Sequence, residues 1–192
     1  MKAWKHFKTI TKHKMKVGQL CFRIGLYKQG ILHDMSKYSL CEFLTGARYY
    51  QGTKSPNAVE RTEKGYSMAW LHHKGRNKHH WEFWVDFTHK GCQPAEIPAQ
   101  YIFEMFCDRV AASMIYQGAN YRDQFPLIYY KRGKHSYIMH PHSRALLEEL
   151  LVYLDQNGLE QTLQYIKKRL VLLALSLMNI MTFVLPFGYL PE

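Results

Sequence analysis

Acidic side chains are scarce in this chain, and at its start they are almost missing. Met1–Tyr38 carries nine Lys and Arg against a single acid, Asp34, within a sequence of formal net charge +11. A segment so basic points to an anionic partner: nucleic acid, a phosphorylated substrate or anionic lipid. A solvated helix face rich in lysine accounts for it equally well. Cysteine is also sparse. Cys21, Cys41, Cys92 and Cys107 form no CxxC pair and no zinc-type spacing, so free thiols in a reducing cytosol are expected. The lysine-rich N-terminus lacks the apolar core of a secretory signal, and a cytoplasmic protein is expected. Internal repeats, low-complexity stretches and period-two alternation are all lacking, which leaves an all-α chain as the expectation.

What is present is apolar and aromatic. The sequence is 47% hydrophobic, with 14 Tyr, 10 Phe and 4 Trp, which excludes a disordered chain. At 192 residues, one domain with a substantial core is expected over 1–169, followed by an apolar tail over 170–192. Trp4, Phe7, Ile10, Val17, Leu20, Cys21, Ile24 and Leu26 recur at helical spacing. They predict one long helix or two short ones from Lys2 to about Gly30, with His6 and His13 on one face. The His33-Asp34 pair then opens the next stretch, and Ser36 or Ser39 caps a helix over Leu40–Tyr50. Gln51–Asn57 reads as a loop, Val59 to about His73 as a helix, Trp81–Phe87 as an aromatic segment and His89–Pro98 as a connector. Ala99–Tyr116 is the strongest later helix. A short helix over Asn120–Tyr130 is interrupted at Pro126, and Lys131–His142 reads as a loop. Ser143 then caps a helix to about Gln156, Asn157-Gly158 stops it, and Leu159–Arg169 begins the last.

From Leu170 to Pro191 no residue is charged, and Lys167-Lys168-Arg169 precedes that run. A membrane span needs about 20 apolar residues, and the basic triplet suits a cytoplasmic flank. The strongly apolar part, 170–185, is only about 24 Å long as a helix, against roughly 30 Å of hydrocarbon. Membrane association and a packed last helix both remain as readings of the tail.

The metal-capable residues fall in a suggestive order. His33-Asp34 sets an imidazole beside a carboxylate, His13 lies upstream, and Asp108 sits mid-helix in EMFCDRVAAS. A helical bundle gathers such residues from several helices onto one interior site. Two nitrogen and two oxygen ligands suit Mn, Fe, Co, Ni or Zn better than Ca. Taken singly, His13 reads as a surface residue and Asp108 as a partner of Arg109 or Arg48. An Asp among Met105, Phe106, Cys107, Val110 and Ala111 is nevertheless costly to bury without a cation. LHHKGRNKHHWEFW holds four of the eleven histidines. That run suits coordination through His73 and His79 or His80, with Asn77 orienting an imidazole. It also suits a basic patch in which Trp81 and Trp84 stack on nucleic acid. Arg76 and Lys74 would face an anionic substrate. His89, His135, His140 and His142 read as loop residues.

His13, His33-Asp34 and Asp108 in CDRVAA resemble the H…HD…D pattern of the HD-domain metal-dependent phosphohydrolase superfamily. HDMSK is similar to that family's HD-x-x-K form, with Lys37 at the lysine position. AWLHHKGRNKHHWEFW and EMFCDRVAASMIY resemble a small bacterial and phage branch without an assigned function, and the likeness runs from about His6 to Arg169. It implies an HD-like helical domain over 1–169 that holds one or two divalent transition ions. The implied ligands are His13, His33, Asp34, His73, His79 and Asp108. The implied reaction is hydrolysis of a nucleotide or small phosphate ester. In it Asp34 bridges a second ion, Lys37, Arg76 and Arg109 hold phosphate, and His72 or His80 protonates the leaving oxygen. The glycine-tyrosine-proline signature of the cyclic dinucleotide branch is absent after His73, so that activity does not carry over. Some superfamily members oxidise rather than hydrolyse, and others are degenerate. Three alternatives therefore stand beside hydrolysis: a metal oxidase, a non-catalytic HD-like protein, and a basic nucleic-acid-binding module.

Overall fold

The computed structural model describes the backbone over residues 1–184 and side chains over residues 1–176; positions 185–192 of the predicted tail lie outside it. Helix α1 (Lys2–Ile24) buries His6, Ile10, His13, Val17, Leu20, Cys21 and Ile24, steps of three and four that form one inward stripe. It ends at Gly25, not Gly30: Gly25 adopts φ 90°, and its amide donates back to Phe22 O. Gly30 instead lies inside a short α2 (Tyr27–Leu32), where a Cβ would come within 2.8 Å of the Phe22 ring. Its lack of a side chain therefore lets α2 lie close against α1. Asp34 follows in a left-handed conformation, φ 54° and ψ 24°, the sole non-glycine residue with positive φ among the described residues. That turn leads into a 3₁₀ segment, Met35–Tyr38.

Ser39 is the N-cap of α3 (Leu40–Tyr49), while Ser36 serves the site described below. The single helix expected over Val59–His73 is two, α4 (Pro56–Lys64) and α5 (Met68–Lys74). Gly65 in a left-handed turn divides them, and Ser67 starts the second by accepting a hydrogen bond from Trp70 N at 3.0 Å. A 3₁₀ turn (Trp81–Trp84) leads into a small antiparallel hairpin, β1 (Val85–Thr88) with β2 (Gly91–Pro94), in which Thr88 pairs with Gly91 and Val85 with Pro94. The hairpin corrects the expectation of no strand. Its arms are four residues each, too short for alternation to register in the sequence.

Helix α6 (Ala99–Gln117) is the core element. Ile102, Phe103, Phe106, Cys107, Val110 and Ala111 are fully buried between the stripe of α1 and Leu147, Leu150, Leu151 and Leu154 of the last helix. Full burial of each Leu, Ile, Val or Phe contributes about 1.5–3 kcal/mol relative to exposure. Pro126 lies in the first turn of α7 (Phe125–Gly133) instead of interrupting it, because proline suits a position that needs no amide hydrogen. That helix also occupies part of the stretch expected as loop. Helix α8 (Pro141–Val184) bends at Gly158, φ 78° and ψ 168°. The bend stands where Asn157-Gly158 predicts a stop, and Asp123 Oδ2 accepts a hydrogen bond from Leu159 N just beyond it (2.9 Å). Ser143 does not cap this helix. Its hydroxyl accepts from Ile97 N at 2.8 Å, pinning the connector before α6. Val171, Leu172, Leu173 and Leu175 are exposed on α8. No helix of the described residues is long and apolar enough to cross a membrane.

Candidate metal centre

Five packed segments bring imidazoles and carboxylates together in the interior. His13 comes from α1, His33 and Asp34 from the turn after α2, His73 from α5, His79 and His80 from the segment behind it, and Asp108 from α6. Lys14 holds the turn in place by donating to Ile31 O and, at 3.0 Å, to His33 O. The left-handed Asp34 is strain of the kind that concentrates at functional sites. The Asp34 side chain is 2% exposed.

Two sets of ligand-capable atoms share Asp34, and a third grouping, His33 and His79 with Glu104, lies between them. In the first, Asp34 Oδ2 lies 3.3 Å from His33 Nε2 and 3.6 Å from His13 Nε2, while Asp108 Oδ1 lies 2.9 Å from His13 Nε2 and 3.6 Å from His33 Nε2. In the second, Asp34 Oδ1 lies 3.2 Å from His73 Nε2 and 3.4 Å from His79 Nε2, and the Nε2 atoms of His73 and His80 are 2.9 Å apart. Within each set every atom is within 4.8 Å of the others. Ligands about 2.1 Å from a divalent transition ion stand roughly 3.0–3.4 Å from one another, and the contacts here run from 2.9 to 3.6 Å. Moreover, His13 Nε2, His33 Nε2, His79 Nε2 and Asp34 Oδ1 are buried without a hydrogen-bond partner. Buried polar atoms normally have one. An ion in the first set would partner His13 and His33 Nε2, and one in the second would partner His79 Nε2 and Asp34 Oδ1, so the residues fit the group that the sequence pattern implies.

The opposite sides of several rings are held by partners that no motif announces. Glu104 Oε1 accepts from His33 Nδ1 at 2.9 Å and lies 3.0 Å from His79 Nδ1. Glu42 Oε2 lies 2.8 Å from His73 Nδ1, and Glu42 Oε1 lies 2.6 Å from His72 Nδ1. Ser36 Oγ and Asn77 Nδ2 complete the surroundings of His73 Nδ1, at 3.0 and 3.1 Å. Such contacts fix ring orientation and leave the other nitrogen free to ligate. Glu104 has one sequence signal, its place four residues before Asp108 and so on the same helix face. Glu42 has none.

Charge follows geometry. Burial raises the Asp34 carboxyl, but His33, Lys37 and His73 outweigh it and hold the group well below the usual carboxylate range. Asp108 behaves alike, with His13 and His33 overcoming its burial, and Glu104 is lowered by His33 and His79. Burial works against a charged His33, yet Asp34, Asp108 and Glu104 raise it well above the usual imidazole range. For His80, burial and the neighbouring His79 and His73 all push down, so it stays neutral. An ion entering the first set would displace the His33 proton.

The centre lies at the floor of a cleft of about 930 Å³ between α1, α3, the 51–55 loop, α6 and α7. Lys37 and Arg109 line it, as do Lys54, Arg61 and Arg132, which sequence reasoning did not single out. Lys37 Nζ donates to Asp34 Oδ2, and the Arg109 guanidinium lies over the rings of Tyr130 and Tyr137, at 5.6 and 5.4 Å. His6 shares the cleft face with His13, and burial pushes its imidazole down to about 4. Two expected residues stand elsewhere. His72 neighbours His73 on a helix, about 100° around its axis; it reaches Glu42 from a half-buried position and does not line the cleft. Arg76 bonds the His72 carbonyl at 3.3 Å from an exposed position and reaches no cleft wall. His80, expected as a proton donor or a ligand, stands in the second donor set. A separate group, Glu96 with His140 and His142, gathers at the start of α8 and is mostly exposed.

Fold and site together define a mainly helical protein with a buried imidazole–carboxylate centre able to hold metal ions. The chain belongs to the family of unknown function DUF5662, matched over residues 2–152, a span that includes every residue of both donor sets. No curated protein and no solved structure matches it.

Proposed function

We propose that this chain is a metal-dependent phosphohydrolase of the HD type, acting on a nucleotide or another small phosphate ester. The observation that carries the reading is Asp34, whose two oxygens face separate sets of imidazoles, among which the buried Nε2 atoms of His13, His33 and His79 have no hydrogen-bond partner. His13, His33, Asp34 and Asp108 would hold one ion, and Asp34, His73, His79 and His80 the other. Divalent transition ions in such sites supply Lewis acidity and bring the pKa of bound water toward neutrality. The chain's own contribution is placement and charge. Lys37 sits beside the bridging carboxylate, and Arg109, braced on two tyrosine rings, offers donors to a phosphate from the adjoining wall. Hydrolysis joins the water oxygen to phosphorus, breaks the ester P–O bond and returns a proton to the departing oxygen. His72 lies off the cleft and His80 belongs to a donor set, so neither is assigned that proton.

The test is elemental analysis of protein purified without chelator, followed by a phosphomonoester and phosphodiester panel with Mn²⁺, Co²⁺ and Ni²⁺. Bound transition metal and metal-dependent phosphate release are expected. Absence of metal, or dioxygen consumption by iron-loaded protein without any hydrolysis, contradicts the reading. Exposed lysines on the outward face of α1, Lys5, Lys8 and Lys12 among them, support polyanion binding as a second reading. Such binding would weaken steeply with salt and persist in an Asp34→Ala, Asp108→Ala double variant.

A further inference from the structure

We propose that Glu104 links the two donor sets, so that the chain takes up its two ions as a coupled pair. The inference rests on reading the centre as a two-ion site, and it concerns a residue that ligates neither ion.

One carboxylate oxygen, Glu104 Oε1, accepts from His33 Nδ1 at 2.9 Å and lies in ion-pair contact with His79 Nδ1 at 3.0 Å. His33 belongs to the first donor set and His79 to the second. A carboxylate at Nδ1 keeps a hydrogen there, so Nε2 is the nitrogen that gives up its proton to ligate. Both Nε2 atoms are buried and lack a hydrogen-bond partner. The same oxygen therefore sets the tautomer and the aim of one ligand in each set. The two rings also lie against each other, with centroids 4.3 Å apart, so one cannot rotate without the other. Glu104 itself has little freedom. It is buried on α6 one turn before Asp108, among the helix's fully buried core residues.

Glu42 provides the contrast. Its oxygens reach His73 of the second set and His72, which belongs to neither. It supports one ion position only. An ion at either set fixes the Glu104 oxygen through one imidazole and presents the other imidazole ready oriented. It also draws on a negative charge that both positions share. Two nearby dications repel each other, and the shared carboxylate opposes that repulsion.

The experiment is a calorimetric Mn²⁺ titration of the chelator-treated full chain, with bound Mn²⁺ counted by elemental analysis after dialysis. Loss of an outer partner weakens metal binding about 10–100-fold. The unaltered chain is expected to bind two equivalents in one step. Glu104→Gln, which is isosteric, should weaken both equivalents by that factor, whereas Glu42→Gln should weaken one. Far-UV circular dichroism of the apo variants checks folding, and Glu104→Asp, which keeps the charge but shortens the reach, should also weaken both. If Glu104→Gln and Glu104→Asp affect one equivalent or none, the coupling is overturned while the two-ion centre stands. If the unaltered chain binds no Mn²⁺ at either set, the two-ion reading falls and takes the coupling with it.

Discussion

Among the described residues, histidine and carboxylate gather in the interior and again at the start of α8, and the two regions share composition and proximity but not burial. At the start of α8, Glu96, His140 and His142 come within 4.8 Å of one another, as the members of the interior sets do. Yet the Glu96 and His142 side chains are 60% and 77% exposed, and their closest approach is 3.6 Å. Either residue can turn to water at no cost. Inside, Asp34 and His33 are at most 2% exposed, their inward atoms lack partners, and Glu104 and Glu42 hold the far sides of three rings. Proximity of ligand types is thus a weak criterion. Preorganisation, meaning buried donors aimed by outer partners, is what separates a centre from a coincidence.

The largest effect that would sharpen this contrast is expected from Asp34→Ala, which removes an oxygen from each interior set. Elemental analysis should show loss of both ions, and retention of even one would break the claim that Asp34 is shared. Asp108→Ala comes next. It removes a ligand from the first set alone, so one equivalent should disappear and the other remain. Stability should follow occupancy. Ions held at 100 times their dissociation constant add about 2.7 kcal/mol to the folded state, so chelator treatment should lower the thermal midpoint by several degrees. His142→Ala should have the smallest effect, changing metal content less than about twofold, because its group lacks the burial and outer partners on which tight binding depends.

How much of this could be read from the sequence varies with the kind of signal. The inward stripe of α1 from Ile10 to Ile24 and the long α6 follow from apolar periodicity. The order His13, His33-Asp34, Asp108 suggested a shared site because ligand types are rare and chemically specific. Glu104 has only its place one turn before Asp108 to mark it, and Glu42 has no mark at all, since an outer partner needs only to reach a ring nitrogen. His72 and His73 could not be told apart by type. Only the rotation of α5 sends His73 to the cleft and leaves His72 off it, half-buried against Glu42. The hairpin escaped because its arms are four residues each and end in Pro94. The end of α1 was misplaced at Gly30 because glycine serves two purposes. Gly25 supplies the positive φ of a helix end, and Gly30 the empty space against Phe22.

The most direct measurement is anomalous X-ray diffraction from crystals of the full chain grown with Mn²⁺ or Zn²⁺ and recorded at that metal's absorption edge. Two peaks, one on each side of the Asp34 carboxylate and within coordination distance of His33 and His73, are the expected result. A map empty around Asp34, or one with signal only at Glu96, His140 and His142, would contradict it.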